Sequence, residues 1–356
     1  MYNLPYTNKQ INIPYLLKIG NGKICKIGKY LKDKNLPGVA LFLGDGTEEL
    51  VGAELRRGFG DNGINVVHSQ VVSDISIESI TQTAFQLPPA TDVVVGIGGG
   101  KALDFAKYSA HLLRLPFVSV PTSTSNDGFC SPTSSLTVGR RKTVKSSIPF
   151  GVVIDLDIIR NSPPVFFYSG LGDMVSKITA LSDWKEAANR KLERYSDFAS
   201  MLAYNSLDLL FIKHSFDIKA PEFQRSLITS LLMSGISMEV AGTSRPASGS
   251  EHLVSHALDE VCARPQMHGL QVGTAAYLCA LLQNNPSTGG LRDILVKTGF
   301  FDFVGQNPFK KEEFLRALRL APEIKRGFYT VLSEPDSYKR AVEFIDGDEI
   351  LRELIK

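Results

Sequence analysis

Short apolar runs alternate with helix-patterned segments through the first 120 residues of the chain. The apolar runs lie at 39–43, 64–67, 92–95 and 116–120, and the helical patterns lie at 47–58, 77–85 and 102–113. Continuous apolar runs are typical of strands covered on both faces, and strands separated by single helices pair in parallel. The pattern therefore predicts a mostly parallel sheet with helices on both faces. A strand near 11–19, a helix at 23–34 and a last strand at 152–154 extend it.

The alternation ends at Ser162-Pro163-Pro164. Proline cannot donate a hydrogen bond to a sheet and restricts the residue before it, so we expect a domain boundary there. Beyond it, helical spacing recurs at 166–189, 196–211, 221–241, 250–262, 269–282, 291–297, 311–318 and 336–344. Because 356 residues exceed one ordinary core, the sequence predicts two domains, an α/β domain over residues 1–162 and an all-α domain over residues 163–356. Residues 121–150 are rich in Ser, Thr, Gly and Lys and carry no predicted strand.

The charge balance excludes several classes of partner. Lys and Arg number 39 against 37 Asp and Glu, which gives a net charge of +2, and no long basic block occurs. Nucleic acid and membranes are therefore not expected as partners. The four cysteines lack C-x-x-C spacing, and the chain has neither a basic stretch followed by an apolar one at its start nor a membrane-length apolar run. We expect a reduced, cytoplasmic protein.

Glycines cluster at Gly96-Ile97-Gly98-Gly99-Gly100, directly after the predicted strand at 92–95. Glycines before a helix let backbone N–H groups approach phosphate oxygens, and the helix N-terminus adds partial positive charge. Lys101 stands where the G-x-G-x-x-G pattern has its third glycine. A pyrophosphate site and a tight turn without a ligand therefore fit this stretch equally well.

Two more polar segments follow predicted strands, where the ligands of open α/β sheets gather. A carboxylate at Asp45 would accept hydrogen bonds from a ribose and repel a 2′-phosphate, which favours NAD; locally, an ordinary Asp-Gly turn is the better interpretation. The loop at 121–128 carries several hydroxyls and Asp127, which suit a nucleotide or a substrate hydroxyl. A plain polar turn is the alternative.

Three of the six histidines lie between His252 and His268. On a helix His252 and His256 share a face, and His268 opens the next apolar run. This clustering indicates a metal, and Asp173 would complete a ligand set that suits zinc or ferrous iron. Helix caps and ordinary hydrogen bonds are the alternatives, and local sequence favours Asp173 as the N-cap of a helix that begins near Met174.

Other charged residues near these segments have two interpretations each. Lys142 and Lys145 follow Gly139-Arg140-Arg141 and suit an anionic substrate, with a basic surface loop as the alternative. Asp259 lies seven residues after His252, on the same helical face. We expect a solvated charge there, with orientation of an imidazole as the alternative.

Five segments together resemble the superfamily of glycerol dehydrogenases, iron-containing alcohol dehydrogenases and dehydroquinate synthases. They follow in a fixed order from Gly96 to Gly273: GIGGGKALDFAK, PTSTSNDGFCSP, GLGDMVSKITALSDW, SGSEHLVSHALD and HGLQVG. The last three are most similar to sn-glycerol-1-phosphate dehydrogenases. Asp173 stands at the first metal position, as in the dehydrogenases, where the synthases usually have glutamate.

The resemblance implies a Rossmann-like dinucleotide-binding domain, a helical metal- and substrate-binding domain, and an active-site cleft between them. The residues implied to bind the nucleotide are Asp45, Gly98, Gly99, Gly100, Thr122, Ser125 and Asp127. The implied metal ligands are Asp173, His252 and His268. Asp127, His256 and Lys145 are predicted to be catalytic, and the resemblance implies that Asp127 and His256 lie beside the reacting groups. A substrate phosphate would need cationic partners, for which Lys142, Lys145, Lys177 and His256 are candidates.

The implied activity is metal-dependent, NAD(P)-linked oxidoreduction of a glycerol-type polyol. The first substrate pair is sn-glycerol 1-phosphate and dihydroxyacetone phosphate, and glycerol with dihydroxyacetone is the second. NAD is expected, with NADP as the alternative, and zinc is expected, with Fe²⁺ or Ni²⁺ as alternatives. A cyclase like dehydroquinate synthase and a catalytically silent nucleotide-binding module are the other classes. The resemblance also implies a homo-oligomer.

Overall fold

Six parallel strands form the main sheet of the protein. The computed structural model describes residues 11–211 and 215–356. The strands of this sheet are β1 (Leu16–Gly20), β2 (Gly38–Leu43), β3 (Asn65–Val71), β4 (Val93–Gly98), β5 (Phe117–Pro121) and β8 (Gly151–Asp155). Their spatial order is β1-β8-β5-β4-β2-β3, and every pair is parallel. The predicted sheet is therefore confirmed.

Helices cover both faces of this sheet. They are α1 (Ile27–Lys32), α2 (Thr47–Gly60), α3 (Ile77–Gln86), α4 (Gly100–Leu113) and α5 (Leu156–Arg160). Along β2, Val39 and Leu41 share a buried cluster with the side chains of α1 and α2, whereas Ala40 and Phe42 share one with those of α3 and α4. The central strands are wholly buried and the edge strands β1 and β3 are partly exposed. This explains why the central strands read as continuous apolar runs.

Helices alone make up the described chain after β8, apart from an isolated bridge between Phe309 and Ile355. They are α6 (Pro164–Val175), α7 (Lys177–Asn189), α8 (Asp197–Phe211), α9 (Pro221–Ala241), α10 (Ser250–Val261), α11 (His268–Leu282), α12 (Thr288–Lys297), α13 (Phe300–Gly305), α14 (Lys311–Ile324), α15 (Ser337–Gly347) and α16 (Glu349–Leu354). The all-α second half is as predicted, and the exact division at residue 162 stays a prediction. Within the described residues, no helix has the length and hydropathy that crossing a bilayer requires.

An antiparallel hairpin, β6 (Thr133–Val138) and β7 (Arg140–Lys145), lies in the segment for which no strand was predicted. Gly139 has a φ of +68° at its turn. Leu136 is fully buried in the cluster formed with α3 and α4, whereas β7 is mostly exposed. The Ser, Thr and Lys content of this segment is typical of loops and concealed a strand pair with only one fully buried apolar residue.

The first helix predicted after the boundary is broken into two at Ser176. Asp173 lies inside α6, and Ser176 rather than Asp173 is the N-cap of α7. The expectation that Asp173 caps a helix is therefore wrong. Asp173 is buried within the last turn of α6, where a carboxylate has no helix N-terminus to bind.

Candidate active site

The ends of three strands meet where the sheet order reverses, with β3 on one side of β2 and β4 on the other. The Gly44 N–H donates to Ile97 O at 2.8 Å, and the Thr122 N–H donates to Gly98 O at 3.1 Å. Gly98 has a φ of +144°, and a Cβ added to it would lie 3.0 Å from backbone atoms of Gly44. Crevices at such a switch point are where open α/β sheets bind ligands.

The turn after β4 is open towards this crevice. Gly99 is the N-cap of α4 and Gly100 is its first residue, and a Cβ added to either would meet no atom within 4 Å. The first N–H groups of α4 have no partner within the helix. Thr122 and Ser125 are half-buried after β5, and Asp45 is exposed after β2. The structure thus brings these predicted nucleotide ligands to one edge of the sheet, and their contact with a nucleotide stays a prediction.

Helices α6 and α11 approach closely because two glycines face their contact. A Cβ on Gly172 would lie 1.9 Å from Gly269 O, and one on Gly269 would lie 1.7 Å from Ser169 O. The Gly269 N–H also donates to Ser169 Oγ at 3.1 Å. Asp173 follows the first of these glycines and His268 precedes the second, so the contact brings the two side chains together.

Replacing Gly269 by alanine is expected to lower the free energy of unfolding by about 1–3 kcal/mol, because the methyl group forces α6 and α11 apart. Urea denaturation of the variant measures the effect. Gly289→Ala in α12 is the matched control, since a Cβ there meets nothing within 4 Å and alanine is the better helix former. Equal loss of stability in both variants would contradict this account of the contact.

Asp173, His252 and His268 form one cluster. The Nε2 atoms of His252 and His268 lie 3.4 Å and 3.9 Å from Asp173 Oδ1. One potential ligand atom from each residue lies within 4.8 Å of the other two. One carboxylate oxygen and two imidazole nitrogens make a donor set of the kind found in catalytic zinc sites.

The second ring nitrogen of each ligand histidine has a partner within the protein. His252 Nδ1 lies 2.8 Å from Glu251 Oε1. His268 Nδ1 lies 3.0 Å from Ser255 Oγ, which donates its own hydrogen to Gln271 Oε1 at 2.7 Å. This network places a proton on Nδ1 of each imidazole and directs each Nε2 towards Asp173. The three residues therefore fit a divalent metal ion in both chemistry and orientation.

The pKa values of the three clustered residues are shifted in different directions. Burial opposes ionisation of Asp173, but Lys177 and His252 outweigh it and lower the pKa of the Asp173 carboxyl. Burial also opposes protonation of His252, yet hydrogen bonds to Asp173 and Glu251 raise its pKa to about 9. Burial first, and then the charge of His252, lower the pKa of His268 well below its ordinary value. His268 is therefore neutral, as a metal ligand must be, whereas His252 would release its Nε2 proton when it binds a metal ion.

Asp127 meets this cluster from the other domain. Its N–H donates to Asp173 Oδ2 at 2.9 Å, and its Oδ2 accepts from Ser234 Oγ at 2.6 Å and from Lys177 Nζ at 3.2 Å. Burial, and next the charge of Asp173, raise the pKa of Asp127. Lys177 is fully buried and also donates to Asp173 O at 2.7 Å. Lys177 thus joins the two aspartates, which leaves it unsuited to the role of a phosphate ligand.

His256 lies one helical turn after His252 on α10. Its ring centre is 6.5 Å from that of His252 and 5.9 Å from that of His268. Burial, followed by the positive charges of His252, Arg141 and Lys325, lowers the pKa of His256 to about 3. A neutral imidazole therefore stands beside the cluster at neutral pH.

These side chains line a cleft of about 1600 Å³ between the sheet domain and the helices. The predicted site residues on its walls are Gly100, Asp127, Lys142, Lys145, Asp173, His252, His256 and His268. Lys145 and His111 both line the cleft, and burial, followed by the charge of Lys145, lowers the pKa of His111. Whether Lys145 takes part in catalysis stays a prediction.

The hairpin closes one side of this cleft by ion pairs to α10. Arg140 Nη1 lies 3.0 Å from Glu260 Oε1, and Arg141 Nη1 lies 3.2 Å from Asp259 Oδ2. Asp259 also accepts from Gln271 Nε2 at 3.3 Å, which connects it to the Ser255 and His268 pair described above. The expectation of a solvated charge at Asp259 is therefore wrong.

Sequence reasoning missed Glu251, Ser255, Gln271 and Lys325. Glu251 was detectable as the carboxylate next to a predicted ligand histidine. Ser255 and Gln271 belong to the two segments that supply the histidines, but their hydrogen bond joins residues sixteen positions apart. Lys325 carries no sequence signal, because it reaches the cleft only through the packing of α14 against α10.

Comparison with known proteins agrees with this geometry. The family model described as iron-containing alcohol dehydrogenase matches residues 18–163. A protein from Methanothermobacter thermautotrophicus named glycerol-1-phosphate dehydrogenase [NAD(P)+] is 34% identical over 343 residues, 94% of this chain and 96% of its own. The chain belongs to the iron-containing alcohol dehydrogenase family. A protein of the same name from Metallosphaera sedula is 33% identical over 91% of this chain and 93% of its own.

A solved structure supports the membership at the level of the fold. Glycerol dehydrogenase from Schizosaccharomyces pombe is similar with a TM-score of 0.77 and 21% identity, over 97% of this chain and 92% of that one. The predicted fold and family are confirmed, and the chain is an oxidoreductase of that family. NAD(P) and a divalent metal are the cofactors expected for the family.

Proposed function

We propose that the protein is a metal-dependent dehydrogenase that interconverts dihydroxyacetone phosphate and sn-glycerol 1-phosphate with NAD(P). The observation that carries this choice is the cationic wall of the cleft. Arg141, Lys142, Lys145 and Lys325 line the same space as the Asp173 cluster. A free polyol needs no such charge, whereas a phosphate dianion does. The names of the relatives agree with this choice.

In this proposal Asp173, His252 and His268 hold the divalent metal ion, and zinc suits their two nitrogens and one oxygen best. Fe²⁺ and Ni²⁺ suit the same set less specifically. The bound ion supplies Lewis acidity, which polarises a carbonyl oxygen or lowers the pKa of a hydroxyl. Glu251 and Ser255 keep the two imidazoles oriented through their Nδ1 atoms.

Asp127, His256 and Lys145 are assigned the remaining roles beside the substrate and the cofactor. Asp127, fixed by Ser234 and Lys177, would lie beside the nicotinamide and the substrate carbinol. His256 is neutral at neutral pH and exchanges hydrogen bonds with a substrate hydroxyl. Lys145 attracts the anionic substrate into the cleft. Because hydride transfer is the chemistry of the nicotinamide, the protein contributes chiefly position and electrostatics.

The nucleotide is assigned to the edge of the sheet. Gly98, Gly99 and Gly100, at the N-terminus of α4, would hold its pyrophosphate. Thr122 and Ser125 hold the nucleotide by their hydroxyls. Asp45 accepts from the ribose, which favours NAD over NADP.

Replacing Asp45 by serine is expected to raise kcat/KM for NADPH relative to NADH by about tenfold, because a carboxylate no longer repels the 2′-phosphate. Steady-state rates with each reduced cofactor measure the ratio. Glu49→Gln, an exposed carboxylate on α2, is the control and should leave the ratio unchanged. An unaltered ratio in Asp45→Ser would remove Asp45 from the nucleotide site.

A metal-by-substrate screen tests the function itself. Protein stripped of metal and reloaded with Zn²⁺, Fe²⁺ or Ni²⁺ is mixed with NADH or NADPH, and loss of reduced cofactor is followed with dihydroxyacetone phosphate and dihydroxyacetone side by side. We expect faster turnover of the phosphate. Good activity with the free ketone alone would favour glycerol dehydrogenase, and failure with both would favour a cyclase that returns its cofactor unchanged.

A further inference from the structure

We propose that Lys325 binds the substrate phosphate and so selects phosphorylated over free ketones. This inference rests on the proposed function and deepens it. Lys325 is the first residue after α14 and lies on the wall of the cleft that contains His252 and His256.

The position of Lys325 suits a phosphate attached to the reacting carbon chain. In dihydroxyacetone phosphate only one carbon and one oxygen separate the carbonyl carbon from phosphorus, so the phosphate must lie next to the groups that hold the carbonyl. Lys325 lines the same cleft as His256, whose ring centre lies 5.9 Å from that of the proposed ligand His268, and the charge of Lys325 helps to lower the pKa of His256. Lys145 instead acts on His111, which is not part of that cluster.

A cation–π interaction with Phe328 holds the ammonium group of Lys325 in place. Its Nζ lies 3.8 Å from the ring centre of Phe328, and the guanidinium carbon of Arg245 lies 3.4 Å from the same ring centre. Arg245 is fully buried and donates from Nε to Glu193 Oε2 at 2.7 Å and from Nη1 to Tyr329 O at 2.7 Å. Arg245 is therefore a positioning residue for Phe328, and through it for Lys325.

The ammonium group of Lys325 has no ion pair or hydrogen bond within the described residues, and only its backbone oxygen accepts one, from the Phe328 N–H at 3.2 Å. Burial, followed by the charge of Arg245, lowers its pKa, so a cation at this point is disfavoured by its surroundings. Glu193 favours protonation of Lys325, but both of its oxygens already bind Arg245. An ammonium offers three donors, and a phosphate dianion would satisfy them and offset the unfavourable charge.

Two of the hairpin cations that line the cleft already form ion pairs. Arg140 binds Glu260, and Arg141 binds both Asp259 and Ser135. These pairs hold the hairpin against α10 and leave fewer donors for a substrate. Lys325 lines the same cleft, and its ammonium group has no such ion pair within the described residues.

The test compares Lys325→Met with wild type on dihydroxyacetone phosphate and on dihydroxyacetone, using metal-loaded protein and reduced cofactor. We expect kcat/KM for the phosphate to fall by about 10–100-fold, chiefly through KM, with kcat/KM for the free ketone changed less than about twofold. Lys325→Arg keeps the charge and should retain most of the preference. Arg326→Met is the control, because Arg326 is an exposed neighbouring cation with a side chain 91% accessible.

Each outcome bears on a defined part of the account. A wild-type protein that prefers dihydroxyacetone phosphate while Lys325→Met keeps the same preference would overturn the role of Lys325 and leave the proposed function standing. Equal losses on both substrates would assign Lys325 a purely structural role and overturn the inference as well. A wild type without preference for the phosphate would overturn the proposed function itself, together with the inference. If Lys325→Met is unstable by thermal melting, Lys325→Gln replaces it under the same criteria.

Discussion

Replacing His252 by alanine is expected to weaken divalent-metal binding by more than about 100-fold and to abolish turnover with it. Groups that merely orient a metal ligand contribute about 10–100-fold to metal affinity, and loss of a ligand itself exceeds that. The substitution removes the Nε2 atom that lies 3.4 Å from Asp173 Oδ1. Metal content after dialysis and competition with a chromophoric chelator measure the effect independently of activity.

The control for His252 is another histidine on the same cleft. His111 Nδ1 lies 2.9 Å from Ser147 Oγ and belongs to the opposite wall. His111→Ala should bind metal as the wild type does. A His252→Ala variant with wild-type metal affinity would remove the metal centre from this cluster and favour the alternative of a silent nucleotide-binding module.

Replacing Gly98 by alanine is expected to lower the free energy of unfolding by about 2–6 kcal/mol and to weaken nucleotide binding at least about tenfold. The φ of +144° is strained for any residue with a Cβ, and the new Cβ would lie 3.0 Å from Gly44 and 3.2 Å from Ala102. Backbone strain and overpacking each contribute about 1–3 kcal/mol. Urea denaturation and NADH fluorescence titration measure the two effects.

Gly99→Ala separates nucleotide binding from stability. The φ of Gly99 is −82°, and its Cβ would meet nothing within 4 Å, so the fold should tolerate alanine there. If a pyrophosphate packs against the turn, the added methyl still obstructs it, and NADH affinity falls without loss of stability. Wild-type NADH affinity in both variants would contradict the assignment of the nucleotide to this turn.

Much of the fold was predictable because burial imposes clear patterns on the sequence. The buried strands β2 and β4 contain runs of apolar residues, and Pro163-Pro164 stands where strands give way to helices. The hairpin was not predictable, since its exposed strand β7 reads RRKTVK and composition alone suggests a loop. The break at Ser176 was missed for a related reason, because apolar spacing continues across it.

The parts of the site that could be predicted are the residues whose side chains can bind a metal ion. The clustered histidines indicated a metal, and the resemblance to a known superfamily implied Asp173, His252 and His268 as its ligands; the structure brings them within 4.8 Å of one another. The residues that orient them were not named: Glu251 is adjacent to His252 and could have been found, whereas Gln271 acts through a hydrogen bond between residues sixteen positions apart, which no spacing rule describes. Lys325 could not be predicted from the sequence, since its place in the cleft depends on the packing of two helices that are distant in sequence.

The most direct test of the account is the fate of the transferred hydrogen. Metal-loaded protein is incubated with dihydroxyacetone phosphate and reduced nicotinamide carrying deuterium in both positions at C4, and the product is analysed by mass spectrometry and by an enantiospecific glycerol-phosphate assay. The account predicts sn-glycerol 1-phosphate with one deuterium at C2, formed in equal amount to the cofactor oxidised. A metal-loaded protein that leaves the reduced cofactor unconsumed, or forms product without deuterium at C2, would contradict it.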